Sequence, residues 1–177
     1  MTTTIGVSIP VPAPYGEQLQ DARRRSGDPL ADAVPTHVTL MPPTDLAQVE
    51  QPEFTQHLRA VAAAAAPFRM TLQGTGTFRP VSPVVFVAVA EGIGMCERLE
   101  QAVRSGPVRR ELEFPYHPHV TVAQAVDDDA LDRTFEELAG YRCQFEVSAF
   151  DLYLHGEDRV WRPIDRFELG LNDTTAS

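Results

Sequence analysis

The sequence contains no lysine, so all fifteen of its basic side chains are arginines, against 25 Asp and Glu residues and a net charge of −10. Binding along a nucleic-acid backbone needs a basic stripe that neutralises successive phosphates. The acidic excess therefore argues against an extended nucleic-acid track. A small nucleotide or an RNA end could still be held by a few guanidinium groups, which contact phosphate in a planar, bidentate way.

Cysteines and long apolar runs are also scarce. Cys96 and Cys143 do not form a metal-type cluster, and two cysteines do not demand an oxidising compartment. No apolar run approaches the roughly 18 residues of a transmembrane helix, and the N-terminus lacks the apolar region of a signal peptide. We expect a monomeric cytoplasmic protein without membrane contact, and 43% hydrophobic residues suffice for a sizeable core.

One short pattern occurs twice, as Thr36-His37-Val38-Thr39-Leu40 and as Pro118-His119-Val120-Thr121-Val122. On a strand, residues two apart share a face, so each His would lie beside its Thr while the aliphatic residues enter the core. Chance gives roughly 0.4 such His-x-Thr matches in a chain of this composition, so one copy is weak and two are informative. The alternative is two ordinary strands whose polar faces meet solvent.

Hydrophobic periodicity predicts the remaining elements. Strands are predicted over residues 5–11, 34–41, 68–77, 84–90, 118–122, 145–154 and 160–169, and helices over residues 15–26, 52–66, 93–105 and 128–138. We expect Pro42-Pro43 to end the second strand and Asp127 to begin the cap of the last helix. Gly74 and Gly76 indicate a bend or a close backbone approach, and a switch of parity at Ala149 indicates a bulge.

The order of helix, His-x-Thr strand, helix, strand and strand occurs in both halves of the chain. This repetition predicts an α+β fold with a single domain over residues 1–170 and a flexible tail over residues 171–177. The domain would be a bilobal duplicated unit, with lobes of about residues 1–90 and 91–170. Two largely antiparallel sheets would flank a central cleft, with helices on the outside and the two motifs facing each other.

Two imidazoles facing each other suit acid–base chemistry at phosphorus. A neutral histidine takes a proton from water, and a protonated one gives a proton to the leaving oxygen. His37 and His119 are the candidates for these roles, since an ordinary His pKa of about 6.5 makes both forms available near neutrality. Thr39 and Thr121 would donate hydrogen bonds to the oxygens where charge develops. This chemistry requires no metal and no cofactor.

Substrate contacts are expected from arginines near the motifs, namely Arg79, Arg109 and Arg110, although each also fits a solvated or salt-bridged surface residue. Tyr116 precedes the second motif and would either stack on a base or pack in the interior. His117 and His119, together with His37, offer an alternative metal site, which the intervening Pro118 and the matched threonines fit poorly. Nothing in the sequence points to a catalytic role for the remaining histidines, His57 and His155.

The paired motifs resemble those of the 2H phosphoesterase superfamily, the group of the LigT-like 2′-5′ RNA ligases and cyclic nucleotide phosphodiesterases. The segment Gly74-x-Gly-x-Phe78-Arg79-Pro80, followed by Val84-Val85-Phe86-Val87, is similar to the one after the first motif in LigT-like members. The resemblance covers about residues 1–170. It implies a bilobal fold with the motif residues lining the cleft and hydrolysis of a cyclic phosphate, typically 2′,3′, on a nucleotide or RNA end.

The resemblance leaves the substrate open. Ala123-Gln124 stand where many LigT-like members carry a basic residue, so a tRNA-sized substrate is not implied. Reaction at a 2′-5′ linkage, by ligation or hydrolysis, is an alternative within the family. A module that binds a nucleotide phosphate without turnover is the alternative from another class, and the intact pair of motifs favours the enzyme.

Overall fold

The computed structural model describes residues 1–170, and the tail expected at residues 171–177 lies outside them. Within this part the chain forms eight strands: β1 (Thr2–Pro10), β2 (His37–Ala47), β3 (Phe68–Thr77), β4 (Val84–Glu91), β5 (His119–Gln124), β6 (Arg142–Val147), β7 (Ala149–His155) and β8 (Trp161–Glu168). It also forms four α-helices: α1 (Tyr15–Arg25), α2 (Gln51–Ala64), α3 (Ile93–Arg104) and α4 (Asp128–Glu137). These bounds follow the predicted elements within about two residues, except at the start of β1, at both ends of β2 and at the start of β6. The predicted strand 145–154 is divided into β6 and β7.

Two four-stranded antiparallel sheets form the framework, which confirms the predicted α+β class. Sheet A has the order β2-β1-β7-β8, and sheet B has the order β5-β4-β3-β6. Each His-x-Thr strand is therefore the edge strand of its sheet, and the two edges, β2 and β5, lie against each other. Two helices contact the sheet opposite to the strand that they follow. Helix α1 follows β1 of sheet A and contacts β5 of sheet B, whereas α3 follows β4 of sheet B and contacts β2 of sheet A. These contacts hold the two motif strands together.

The pairing of strands corrects the predicted division into lobes at residues 1–90 and 91–170. Strands β3 and β4, from the first half, pair with β5 and β6 in sheet B, while β7 and β8 return to β1 in sheet A. The parity switch near Ala149 is consequently not a bulge within one strand. It marks the crossing of the chain from β6, which ends at Val147, to β7 in the other sheet. What repeats along the chain is strand, helix, motif strand and helix, over β1 to α2 and over β4 to α4.

Strand β2 does not end at the two prolines, as predicted, but begins at His37 and runs through them to Ala47. Proline lacks the N–H that an inner strand needs, and it is tolerated at a sheet edge or a bulge. Both conditions hold, because β2 is an edge strand and its register with β1 is irregular between Ile5 and Val7. The prolines fall within this irregularity, where the ladder is already interrupted.

The interior is built from the aliphatic residues that the periodicity selects. The largest fully buried side chains include Ile5 and Ile9 of β1, Leu19 of α1 and Phe54 of α2. Burying one such side chain contributes about 1.5–3 kcal/mol. As predicted, Asp127 caps α4, because its side chain accepts a hydrogen bond from the Ala130 N–H at 2.8 Å. No helix within residues 1–170 is long and apolar enough to span a membrane.

Candidate active site

Both motif histidines are held by the same kind of hydrogen bond to the backbone. His37 Nδ1 lies 2.5 Å from the carbonyl oxygen of Pro35, and His119 Nδ1 lies 2.7 Å from that of His117. A carbonyl oxygen can only accept a hydrogen bond, so in each ring Nδ1 carries the proton and donates. In each neutral ring, Nε2 is therefore the nitrogen that carries the lone pair and can accept a hydrogen bond or a proton. Two copies of one sequence pattern thus produce two imidazoles with the same tautomer.

The first threonine already contacts its histidine. Thr39 Oγ1 lies 3.1 Å from His37 Nε2, and because Nδ1 holds the ring proton, the hydroxyl is the donor. This contact places His37 and Thr39 on one face of β2, as their spacing predicted. On β5, His119 and Thr121 are partners of Ala88 and Phe86 across the strand pair.

The structure brings the two motifs to one place. Their strands are neighbouring sheet edges, and the Tyr116 hydroxyl, just before β5, donates to the Thr39 carbonyl of β2 at 2.7 Å. The charge of a protonated His119 is also felt at His37, where it helps to lower the pKa. The two motifs therefore lie beside each other along β2 and β5.

Burial lowers the pKa of both imidazoles, because a low-dielectric environment disfavours the charged form. For His37 burial brings the pKa to about 4, against the upward effect of the Pro35 carbonyl, with the charges of Arg23 and His119 as further lowering causes. For His119 burial also lowers the pKa, again opposed by the hydrogen bond to the His117 carbonyl. Without a bound anion, both rings are neutral at pH 7.

Trp161 packs against His37, a contact that no pattern in the sequence indicated. The two ring centroids are 4.8 Å apart, inclined at 34°. By register, His37 is level with Pro10 on β1, whereas Trp161 pairs with His155 and so lies near the level of Thr4. In a flat sheet, three strand spacings of about 4.8 Å and six residues of about 3.4 Å would separate the two by roughly 25 Å. Sheet A therefore curls until its opposite corners meet.

A backbone hydrogen bond closes this curl, since the Trp161 N–H donates to the Ala33 carbonyl at 2.9 Å. On the face that carries Thr39, the curl buries a row of polar residues. Ser8 is 0% exposed, Asp151 3% and Tyr153 2%. Polar side chains are rarely buried without a hydrogen-bond partner, so the burial of three of them on one face calls for an explanation.

Phenylalanines surround the second histidine. The Phe78 ring meets His119 edge-on at 4.9 Å, and the Phe86 ring lies 5.2 Å away. The predicted close approach at Gly76 is confirmed, because a Cβ there would lie 2.5 Å from the Phe86 ring. Gly74 has a φ of +75°, which fits the predicted bend. The Gly-x-Gly-x-Phe segment thus shapes one wall of the His119 site.

Comparison with known proteins now identifies the family. A sequence model described as the 2′-5′ RNA ligase superfamily matches residues 10–159. The chain belongs to this superfamily. It is 28% identical over 159 residues to a Halalkalibacterium halodurans protein named "Putative phosphoesterase", covering 89% of this chain and 92% of that one. A Bacillus pumilus protein of the same name is 28% identical over 156 residues, covering 87% and 91%.

The fold is also that of solved members. Escherichia coli LigT, crystallised with NADP+, superposes with a TM-score of 0.75 at 22% identity, covering 97% of this chain and all of that one. A Thermus thermophilus protein superposes with a TM-score of 0.67 at 21% identity, covering 94% and 98%. The resemblance to the 2H, LigT-like group that the paired motifs indicated is therefore confirmed.

In this superfamily member, two predicted substrate contacts lie at the motif strands. Tyr116 is half-buried, and its hydroxyl is bound to β2, so it joins the two motif strands. The Arg110 guanidinium donates to the Pro43 carbonyl at 2.9 Å and to Thr44 Oγ1 at 2.8 Å. Both residues therefore have structural partners along the edge of β2.

The other two predicted contacts have different surroundings. Arg79 follows Phe78 and pairs with Asp132 at 2.9 Å and Asp128 at 3.6 Å on α4. Arg109 is exposed in the loop before β5. For Arg79, a phosphate would have to compete with carboxylates that already neutralise the guanidinium. The structural partners of Arg79 and Arg110 could not be inferred from the sequence, because they lie on other elements.

Within residues 1–170, no three His, Cys, Asp or Glu side chains converge as metal ligands would. The His117 and His119 rings of the alternative metal site are 5.8 Å apart. Two cavities of the protein are not lined by motif residues. One, of about 680 Å³, separates α2 from α3 beside His57, and the other, of about 260 Å³, lies beside Pro10 and Arg166. The candidate active site is the region between the two motif strands, β2 and β5, which we call the groove.

Proposed function

We propose that this protein is a metal-independent phosphodiesterase that opens a 2′,3′-cyclic phosphate on a nucleotide or an RNA end. The observation that carries the proposal is the matched pair of imidazoles, both fixed through Nδ1 to a backbone carbonyl and both mounted on neighbouring sheet edges. A fixed tautomer leaves each Nε2 ready to accept or donate the proton that the reaction moves. A structural role for either histidine would not require the same arrangement twice.

In the reaction, one neutral ring accepts a proton through Nε2 from the attacking water. A bond forms between the water oxygen and phosphorus, and the bond from phosphorus to one ribose oxygen breaks. The other ring, protonated, gives its proton to that leaving oxygen. Exchange with solvent then restores the two starting proton states. Thr39 and Thr121 donate to the non-bridging oxygens, where negative charge builds up.

The lowered pKa values fit this scheme once the substrate is included. A ring that must act as an acid has to be protonated near neutrality, and burial opposes this at both His37 and His119. A cyclic phosphate diester brings one negative charge into the groove, and an anion beside an imidazole raises its pKa. The substrate itself therefore supports the protonation of one ring, while repulsion between the rings keeps the other neutral.

A small substrate accords with the charge of the chain and with the solved relatives. The net charge of −10 disfavours a long phosphate backbone. E. coli LigT has been crystallised with 3′-AMP and with ATP as well as with NADP+. By analogy, a nucleotide or a short RNA end would enter the groove here, with Tyr116, Arg79, Arg109 and Arg110 as the proposed contacts to base and phosphate.

Two alternatives rest on the same groove. The family name includes 2′-5′ RNA ligases, so cleavage or formation of a 2′-5′ linkage is one of them. Binding of a nucleotide phosphate without turnover is the other. A screen of 2′,3′-cyclic nucleotides, ADP-ribose cyclic phosphate and 2′-5′ dinucleotides, run with and without chelator, separates all three.

Substitution of the histidines tests the mechanism on any substrate that the screen reveals. His37→Ala and His119→Ala should each lower turnover about 10²–10⁴-fold, and the double variant should lose little more, because residues that act as a unit are non-additive. His57→Ala is the control, since His57 bonds the Ala102 carbonyl between α2 and α3, away from the groove. Full turnover after loss of either motif histidine would refute the paired acid–base scheme.

A further inference from the structure

Ser8 has a buried hydroxyl group whose hydrogen bonding is incomplete. Its side chain lies on β1 with 0% exposure, and its Oγ is the one buried side-chain polar atom without a hydrogen-bond partner among the described residues. A buried hydroxyl without a partner destabilises a folded protein, so such groups are rare and call for an explanation. Alanine has nearly the same size and would avoid the cost.

The neighbours of Ser8 are set by the strand register of sheet A. Ser8 lies directly opposite Thr39 on β2 and directly opposite Asp151 on β7. Residues directly opposite each other in an antiparallel pair share a face, and their Cβ atoms are about 4.5–5.5 Å apart. Both oxygens of Asp151 accept from the Arg166 guanidinium, at 2.9 Å and 3.2 Å. The neighbour whose bonding must change during the proposed reaction is Thr39.

In the free protein, Thr39 donates its hydroxyl proton to His37 Nε2. That nitrogen has to be released before it can exchange a proton with water or with a leaving oxygen. The Thr39 proton must then point elsewhere, and a non-bridging phosphate oxygen is the acceptor that the proposed function supplies. A hydroxyl is both donor and acceptor, so Thr39 Oγ1 can accept a hydrogen bond from the Ser8 hydroxyl while it donates one to the phosphate.

We propose that Ser8 is a positioning residue for Thr39: when a phosphate enters, the Ser8 hydroxyl donates to Thr39 Oγ1 and directs the Thr39 proton to the phosphate. This inference rests on the proposed function. It gives the unpaired buried hydroxyl of Ser8 a use in the complex, where the Thr39 proton turns away from His37 and towards the phosphate. Donor chains of this kind polarise one another, which strengthens the terminal hydrogen bond.

A hydroxyl-bearing residue opposite the threonine occurs only at the first motif, that of His37 and Thr39. In sheet B, the residue opposite Thr121 is Phe86, which has no hydroxyl. The inference therefore predicts that the two threonines respond differently to changes in their cross-strand neighbours.

The test uses Ser8→Ala in the full-length protein. The unfolding midpoint should stay unchanged or rise, because an unsatisfied buried group is removed, while kcat should fall about 10-fold. In a Thr39→Ala background, Ser8→Ala should cause no further loss, because Ser8 acts through Thr39. Ser26→Ala is the matched control: Ser26 is also buried, but its hydroxyl donates to the Arg23 carbonyl at 2.6 Å. That variant should be less stable, with kcat unchanged.

A kcat of Ser8→Ala equal to that of the wild type, or an equal loss with and without Thr39, would overturn the inference. A second measurement tests the role of Ser8 independently of turnover. It is a titration of the protein with inorganic phosphate, monitored by ³¹P NMR. If the wild type binds phosphate but opens no cyclic phosphate, the proposed function fails, and Ser8→Ala must still weaken phosphate binding about 10-fold for the inference to hold. A wild type that neither turns over these substrates nor binds phosphate refutes both.

Discussion

The pKa of His37 offers the most direct test of the site, because burial is the main cause of its lowering and Trp161 packs directly on the ring. Burial lowers this pKa from 6.5 to about 4, and Trp161 covers the ring with its centroid 4.8 Å away. At about 1.36 kcal/mol for each pH unit, the protein disfavours the charged ring by about 3 kcal/mol. We predict that Trp161→Ala admits water to the imidazole and returns its pKa at least halfway towards 6.5, while Trp161→Phe keeps most of the lowering.

The assay is an NMR titration of the His37 Cε1 proton between about pH 3.5 and pH 8, with the signal assigned by its absence in His37→Gln. Trp161→Phe is the matched control, since it retains an aromatic cover at the same position. A wild-type His37 that titrates near its ordinary pKa would refute the burial argument. A low pKa that persists in Trp161→Ala would show that Trp161 is not the cover that matters.

The same shift makes stability depend on pH. Between about pH 6.5 and pH 4, the unfolded chain binds a proton at His37 and the folded protein does not. Stability therefore rises with pH across this window and is lost as the pH falls, by up to about 3 kcal/mol from this group. Urea unfolding at about pH 7 and about pH 4.5 should show a smaller loss for His37→Gln than for the wild type, with the other titrating groups common to both.

Two further predictions concern the walls of the site and its independence of metal. Gly76→Ala places a Cβ 2.5 Å from the Phe86 ring and should lower the free energy of unfolding by about 1–3 kcal/mol. Gly94→Ala is the control, because a Cβ there has no atom within 4 Å and should be tolerated. Thermal unfolding measures both variants. Turnover should persist in chelator, because neither motif contains a carboxylate or thiol ligand; stoichiometric zinc, lost together with activity on dialysis, would favour the metal-site alternative instead.

The sequence was sufficient for those features that depend on local patterns. Alternation of apolar residues located the strands, a 3.6-residue period located the helices, and the acidic triplet located the cap of α4. The two His-x-Thr motifs were recognisable because the same spacing, which places His and Thr on one face of a strand, occurs twice. The same motifs sufficed to identify the family.

The features that the sequence could not provide depend on how the sheets pair and bend. The alternation of apolar residues within a strand is the same whichever sheet the strand joins. Periodicity therefore could not test the predicted division into two lobes at residue 90. Two prolines in a row predict the end of a strand, and their tolerance in β2 depends on an edge position that the sequence does not reveal. Trp161 reaches His37 only through the curl of sheet A, and the pairing of Arg79 depends on where α4 lies.

Duplication alone would make two equivalent histidines, yet acid–base catalysis needs one neutral and one charged ring at the same pH. The tautomer is the same in both rings, because each Nδ1 is hydrogen-bonded to the carbonyl two residues earlier. The surroundings of the two rings differ: Trp161 and the charge of Arg23 act on His37, whereas Phe78 and Phe86 surround His119. The two pKa values can therefore differ, and under the proposed function a single bound phosphate would raise the pKa of one ring more than that of the other.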